Sequence, residues 1–333
     1  MKGSSSTSSS SGVRTLLWKS ALLLAPLAVV GVPPVAQTVR MMASAERTVA
    51  GHAGVYDRAL QGKFGALVAP GVSVLIAGDS RAQRQLVPAV FEARGEKAVN
   101  VATNAQDLVT FANALDRYGL PASVKVLLIS TSVFQVNDGA IGGGFISTAC
   151  LLNMTPRERT RVYLDRLGSP WSPLVFNFAD GPPAPMSEAE RREQGFLGID
   201  KTLELPLPRV LLNEHPWYRN VRLDGARWRI FQQAIARVAA TGREVVLIQP
   251  PVSPAWRAYT AGTFVEQAEL TYAKMLAAAG AAWPRVRVLD FYTTLDSRLG
   301  NREFYDIQHL NRRGATLFSA MVADRVLGEG APR

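Results

Sequence analysis

The stretch Val72-Ser73-Val74-Leu75-Ile76-Ala77-Gly78-Asp79-Ser80-Arg81 decides how this chain is to be read. Val72 to Ala77 is a short apolar run rich in branched side chains, as expected of a strand buried on both faces. Gly78, Asp79 and Ser80 then supply turn and helix-cap chemistry. A helical pattern comes next, near Gln83 to Arg94. The same alternation continues outward from there. Ala98 to Ala102, Val124 to Ser130, Glu244 to Gln249 and Val286 to Phe291 also read as buried strands. Helical patterns fall near Leu108 to Tyr118, Arg227 to Ala240 and Phe264 to Ala279, and a last helix comes after Asn311. Thr263 and Glu266 have the spacing of a capping box. Strands alternating with helices predict an α/β fold: a doubly wound, mostly parallel, five-stranded sheet flanked by helices.

The rhythm breaks between about residues 139 and 223. That interval holds Gly142-Gly143-Gly144, Trp171-Ser172-Pro173 and Gly181-Pro182-Pro183-Ala184-Pro185. It reads as a large insertion with a few helices of its own. The main domain then covers residues 70–330.

At the other end, residues 1–13 form a Ser-rich tail whose composition cannot build a core. Residues 14–37 combine Arg14 and Lys19 with an uncharged apolar run from Ser20 to Ala36. Positive charge ahead of an apolar segment predicts export of the chain beyond it. The segment reads as a signal anchor in the cytoplasmic membrane, the rival being a signal peptide cleaved near Ala43-Ser44-Ala45. Pro26, Pro33 and Pro34 argue against a buried soluble helix. Residues 38–69 are expected to form a stem, and the remainder is expected in the periplasm or another extracytoplasmic space.

Composition narrows the function. The 333 residues carry a net charge of +10, yet the 37 Lys and Arg are scattered without a nucleic-acid reader motif, which argues against nucleic acid as a partner. A single cysteine, Cys150, rules out an intrachain disulfide. With no cysteine cluster and no HExxH pair, nothing points to a zinc site.

Three polar clusters sit where an open parallel sheet places ligands, at the carboxyl ends of strands. The first is Gly78-Asp79-Ser80-Arg81. The second, Thr103-Asn104 after Ala98 to Ala102, reads equally as a turn. The third is Asp306-Ile307-Gln308-His309-Leu310-Asn311, after the last strand and before the last helix. A hydroxyl nucleophile needs a base, and the base needs an orienting group. Ser80, His309 and Asp306 supply those types. Arg81 and Arg84 read first as solvated helix-surface side chains, the rival being that they face an anionic acceptor. His215-Pro216-Trp217-Tyr218 reads as packing of the insertion onto the domain, and Phe91, Trp228 and Phe231 as core.

Gly78-Asp79-Ser80 together with Asp306-x-x-His309 resembles the SGNH hydrolase superfamily, also called GDSL-like. The resemblance covers about residues 70–327 and implies a flavodoxin-like sheet. The phrase Phe304-Tyr305-Asp306-Ile307-Gln308-His309-Leu310-Asn311, then Gly314, most resembles its membrane-anchored, exported branch, which handles polysaccharide acetylation and teichoic-acid D-alanylation. The resemblance implies Ser80 as nucleophile, His309 as general base and Asp306 as its orienter. It further implies an oxyanion hole from the backbone of Ser80 and Ala105, with Asn104 and Asn137 as side-chain candidates. Ala105 stands where the family has Gly, and Ser132 aligns with the family's third-block Asn. No metal or organic cofactor is implied. The implied reaction is O-acyl transfer to or removal from a polysaccharide or other glycan, and the implied partner is a membrane-bound O-acyltransferase. The rival readings are a secreted general esterase or lipase and a non-catalytic scaffold of a glycan-modifying membrane complex.

Overall fold

A computed structural model describes residues 43, 57–139, 147–167, 183–209, 211, 212, 215, 217, 218, 220–294 and 296–328. The Ser-rich tail, the apolar segment and most of the expected stem lie outside the described residues. So do Gly142 to Gly144, Trp171 to Pro173, Gly181 and Pro182. Among the described residues no helix is long and apolar enough to cross a membrane.

Five strands form one sheet: β1 (Val74–Ala77), β2 (Ala98–Asn100), β3 (Val126–Ser130), β4 (Glu244–Gln249) and β5 (Val286–Asp290). Their order is β2-β1-β3-β4-β5 and every pairing is parallel. This is the doubly wound order in which the chain reverses direction beside β1. Each strand lies within its expected run, trimmed at most by two residues. The trimming has local causes. The Val72 and Val124 N–H groups donate to turn carbonyls at Ala69 and Pro121, and the Ala102 N–H donates to the Asn100 side chain.

The period of two along each strand sends alternate side chains to opposite layers. Val74, Ile76, Leu128, Val246 and Ile248 pack with Phe91, Phe318, Met321 and Val322. That layer is built from α2 (Ser80–Gln85), α3 (Pro88–Glu92) and α12 (Arg312–Leu327). Leu75, Ala77, Leu127, Ile129, Val245 and Leu247 pack with Leu60, Phe111, Ile230, Phe231 and Leu276. These belong to α1 (Arg58–Leu67), α4 (Leu108–Tyr118), α9 (Ala226–Ala239) and α11 (Phe264–Ala281), with the short α10 (Pro254–Thr260) between the last two in the chain. Each such side chain, fully buried, contributes roughly 1.5–3 kcal/mol. Phe91 and Phe231 are core, and Trp228 is partly buried and stacks on Phe231.

Three local expectations are corrected. The helix expected from Gln83 to Arg94 is two helices, α2 and α3, broken at Leu86 and Val87. Pro88 causes the break: Val87 ahead of it is extended, at φ −94° and ψ 110°, the region to which a residue before proline is driven. Thr263 and Glu266 do not close a capping box. Thr263 Oγ1 accepts from the Val265 N–H, while Glu266 reaches back to the Gly262 N–H. The end of the expected stem is not stem at all, because α1 buries Leu60 and Phe64 against the sheet.

The insertion contributes α6 (Thr148–Leu152), α7 (Pro156–Leu167) and α8 (Glu188–Arg192), after a short α5 (Val133–Val136) at the end of β3. No strand occurs in its described residues. One stretch of it, residues 194–203, is stitched to the domain by backbone bonds. Asn100 N–H donates to Gln194 O, Leu197 N–H to Gln83 O, Arg312 N–H to Ile199 O and Leu203 N–H to Phe304 O. The return segment therefore passes the end of β2, α2 and the start of α12.

Candidate active site

Ser80 comes directly after β1, across the turn Gly78-Asp79. Gly78 has φ +127°, and a Cβ there would come within 2.6 Å of the Ser130 carbonyl oxygen. Only glycine fits so close to β3 in that conformation. Asp79 is the N-cap of α2, and its Oδ1 accepts the Arg81 N–H at 2.9 Å. Its Oδ2 accepts from the Ser132 hydroxyl. Asp79 is 1% exposed, so each of these bonds is made away from water.

Arg81 is not the solvated side chain expected. It is 3% exposed and turns inward, where its Nη2 donates to the Thr131 carbonyl and to Ser132 Oγ. Its Nε lies 3.7 Å from Asp79 Oδ2. The reason is positional: the second residue of a helix that starts at a strand end faces the neighbouring strand, and β3 ends there in Thr131 and Ser132. Arg84 is half-buried and donates to the Tyr305 hydroxyl.

The His309 cluster arrives from the other end of the chain. Phe304 and Leu310 form an antiparallel bridge that closes residues 305–309 into a loop. Asn311 caps α12 through the Gly314 N–H, and Gly314 lies so close to Glu303 that a Cβ would meet its carbonyl oxygen at 2.1 Å. Gln85 Nε2 donates to the Gln308 carbonyl at 2.6 Å, and Ser253 N–H donates to Ile307 O at 3.0 Å. The Tyr305 ring stacks on His309 with centroids 5.4 Å apart.

These contacts bring the two clusters together. Ser80 Oγ is 2.8 Å from His309 Nε2, across 229 residues of sequence. His309 Nδ1 is 2.8 Å from Asp306 Oδ2 and 3.1 Å from Oδ1. Asp306 also accepts the backbone N–H groups of Gln308 and His309, each at 2.8 Å. Burial pushes the Asp306 carboxyl upward. The hydrogen bond and charge of His309, with the two N–H groups, outweigh it and hold the carboxyl below its ordinary value. A carboxylate there fixes the Nδ1–H tautomer and leaves Nε2 as acceptor for a hydroxyl proton.

The remaining expected residues divide. Thr103 N–H donates to Gly78 O at 3.1 Å, and Gly78 N–H donates to Gln106 Oε1 at 3.0 Å, so the 103–106 loop is latched to the Ser80 turn. Ala105 sits in that loop at φ +55°. Among the described residues no acceptor takes the N–H of Ser80 or of Ala105. Asn104 is exposed beside it. Asn137 is elsewhere in function. Its Nδ2 donates to Trp217 O, and its Oδ1 accepts from Gly139 and Arg222 N–H. Its carboxamide ties the insertion to the domain and cannot turn toward Ser80 without breaking that tie.

Sequence reasoning missed two supports. Asn100, fully buried at the end of β2, donates to the carbonyls of Ala82 and Leu86 and so terminates α2. Glu269 is buried in α11 and accepts from Tyr218 and Gln249, with burial pushing its carboxyl up. Tyr218 is 1% exposed and His215 packs among Trp217, Tyr218 and Trp256, so this cluster is packing, as expected. Burial lowers the His215 pKa to about 4. A buried Asn or Glu with no neighbouring motif carries no signal in one sequence.

No family model and no curated protein matches the chain. Among solved structures it is similar to a Streptococcus pneumonia protein named for platelet activating factor, at 12% identity and TM-score 0.43, over 95% of this chain and 99% of that one. A lipase/acylhydrolase from Enterococcus faecalis is similar at 14% identity and TM-score 0.39, over 78% of this chain and 98% of that one. A carbohydrate acetylesterase family member from Sinorhizobium meliloti is similar at 11% identity and TM-score 0.31, over 77% and 99% respectively. The parallel strand order and the Ser80–His309–Asp306 contacts are established by this chain's own geometry.

Proposed function

We propose that the chain is a serine-dependent acyl-ester enzyme that moves an O-acyl group, acetyl being the favoured one, to or from a glycan outside the cytoplasmic membrane. The observation that carries this reading is the unbroken line of hydrogen bonds from Ser80 Oγ through His309 to Asp306. In the first half-reaction Ser80 Oγ attacks the acyl carbonyl and gives its proton to His309 Nε2. The tetrahedral oxyanion accepts from the N–H groups of Ser80 and Ala105. His309 returns the proton to the leaving oxygen, and the acyl–Ser80 ester remains. In the second half-reaction a sugar hydroxyl, or water, gives its proton to His309 and attacks the ester. The bond to Ser80 Oγ breaks, and Oγ takes the proton back.

The engaged Asn137 favours slow turnover of simple esters, since the oxyanion loses a side-chain donor worth about 2.7–4 kcal/mol where present. A membrane-bound O-acyltransferase as acyl donor fits this reading, as does anchoring through residues 14–37. The test is to expose the protein to an aryl acetate or a fluorophosphonate and locate the modified residue by mass spectrometry. Modification at Ser80, lost in Ser80→Ala, is expected. No modification under either reagent would move the assignment to a glycan-binding scaffold.

A further inference from the structure

One turn along α2 from Ser80, a cleft of about 390 Å³ opens between α1, the 103–104 loop and the insertion segment leading into α8. Gln83 and Asn104 form the side of it nearest the serine. Gln83 is three residues beyond Ser80 and so lies on the same helical face. Asn104 precedes Ala105. The cleft thus shares both of its inner elements with the candidate active site, although Ser80 itself does not line it.

Its polar groups are built in. Lys63, 2% exposed, is consumed by Glu190 at 2.9 Å and by the carbonyls of Ala102 and Gly195. Gln83 Nε2 donates to Glu190 Oε1 at 3.0 Å, while Gln83 Oε1 is buried with no partner among the described residues. Gln83 is 6% exposed, and an unpaired buried acceptor is costly unless a ligand completes it. Asn104 has no hydrogen bond among the described residues, and it is exposed. The Glu190 oxygens are taken by Lys63, Gln83 and Ser187, whereas Asp57 Oδ2, which accepts from Thr103, keeps room for a second donor, and Met186 adds a buried apolar surface. Hydroxyl groups need such a mixture of acceptors and donors, and the C–H face of a pyranose needs the apolar side. The two cations of the lining, Lys63 and Arg58, are matched by the carboxylates of Glu190 and Asp57, and both have partners, so the cleft offers a carboxylate ligand no net positive charge.

We propose that this cleft is the acceptor subsite and holds a neutral sugar residue, from which a neighbouring hydroxyl reaches the acyl group on Ser80. This rests on the acyl-transfer reading above and adds to it the place and charge class of the acceptor.

The probe is a neutral β-linked glucose tetramer, with a uronate tetramer as the charged comparator. Ser80 is first acetylated with an aryl acetate, and loss of the acetyl group is followed by mass spectrometry with and without tetramer. The neutral tetramer should speed the loss at least about tenfold and appear acetylated, whereas the uronate should speed it less than about twofold. Each variant is scored by its own ratio of rates with and without tetramer. Ala184→Trp, which fills the cleft from the insertion side, and Gln83→Leu should both bring that ratio below about twofold. Ratios as large as wild type in both variants would overturn the proposal, as would equal stimulation by the uronate. Should Ser80 refuse acetylation, the acyl-transfer reading fails and the subsite is judged on binding alone. In that case the neutral tetramer is titrated into the Ser80→Ala protein while the side-chain amide signals of Gln83 and Asn104 are followed by NMR. Movement of both signals supports the subsite; binding that leaves them unmoved, or no binding, sinks it.

Discussion

At the scale of single residues, the chemistry depends on groups whose neighbours hold them in one protonation state. Asp306 accepts two backbone N–H groups and the His309 ring, so Asp306→Asn removes the tautomer control while leaving the shape. The expected loss in kcat on an activated ester is on the order of 10⁴-fold. Urea unfolding supplies an independent check. The folded-state pKa of Asp306 is lowered, so its contribution to stability is present above the ordinary carboxylate pKa of about 4 and disappears as pH falls through the folded value. The gap between wild type and Asp306→Asn should therefore be widest near neutrality and close in acid; a gap that widened in acid would contradict the assignment. Arg81 makes a different prediction. Arg81→Met leaves the Asp79 carboxylate buried without its cation, which should cost about 3–5 kcal/mol of stability in a denaturant titration.

Elements place these residues, and the decisive feature is how two short segments are locked. The Ser80 turn is latched to the 103–106 loop through Gly78, and the His309 loop is latched to α2 through Gln85. Gly314 is the tightest point of the second lock. Gly314→Ala would drive its Cβ into the Glu303 carbonyl, whose segment pairs with Asn311 N–H, so the start of α12 must shift. A loss of about 1–3 kcal/mol is expected on overpacking of this kind. Because the shift moves Asp306 and His309 relative to Ser80, fluorophosphonate labelling should slow even at temperatures where circular dichroism reports a folded protein. Labelling at the wild-type rate in a destabilised Gly314→Ala protein would mean that the His309 loop is held by its other ties.

For the whole molecule, the Lys63–Glu190 pair joins α1 to α8 of the insertion across the edge of β2. Burial raises the Glu190 carboxyl and lowers the Lys63 ammonium. Their mutual hydrogen bond and charge reverse the first, and Glu190 falls to about 2. A depressed acid stabilises the fold above its unfolded value near 4.5 and ceases to do so as pH falls toward 2. Glu190→Gln should thus be clearly less stable than wild type at pH 7 and close to it at pH 2, measured by thermal unfolding. Topology is the other property at this scale. The basic residues ahead of the apolar segment lead to the expectation that a reporter fused after Arg333 is active only when it works outside the cytoplasm. Activity of a cytoplasm-specific reporter in that position would end the export reading.

How much of this was written in the residues depends on the range of each interaction. The five strands, the long helices α4, α9, α11 and α12, and the Ser80 and His309 turns could all be read from the chain, because hydrophobic period and turn chemistry act over a few residues. The break at Pro88 was equally local and could have been seen there. Every feature made by residues distant in the chain lay beyond reach. Arg81 and Arg84 share a helix and a charge, and no local pattern says that one is buried under β3 while the other meets Tyr305. Asn137 and Asn104 were equal candidates until the insertion folded back and took the carboxamide of the first. Helix α1 looked like stem because Leu60, Lys63 and Phe64 find their partners only once β2, α4 and residue 190 are in place. Short-range preference chooses the elements, whereas burial and pairing across the assembled sheet choose which side chains face the chemistry.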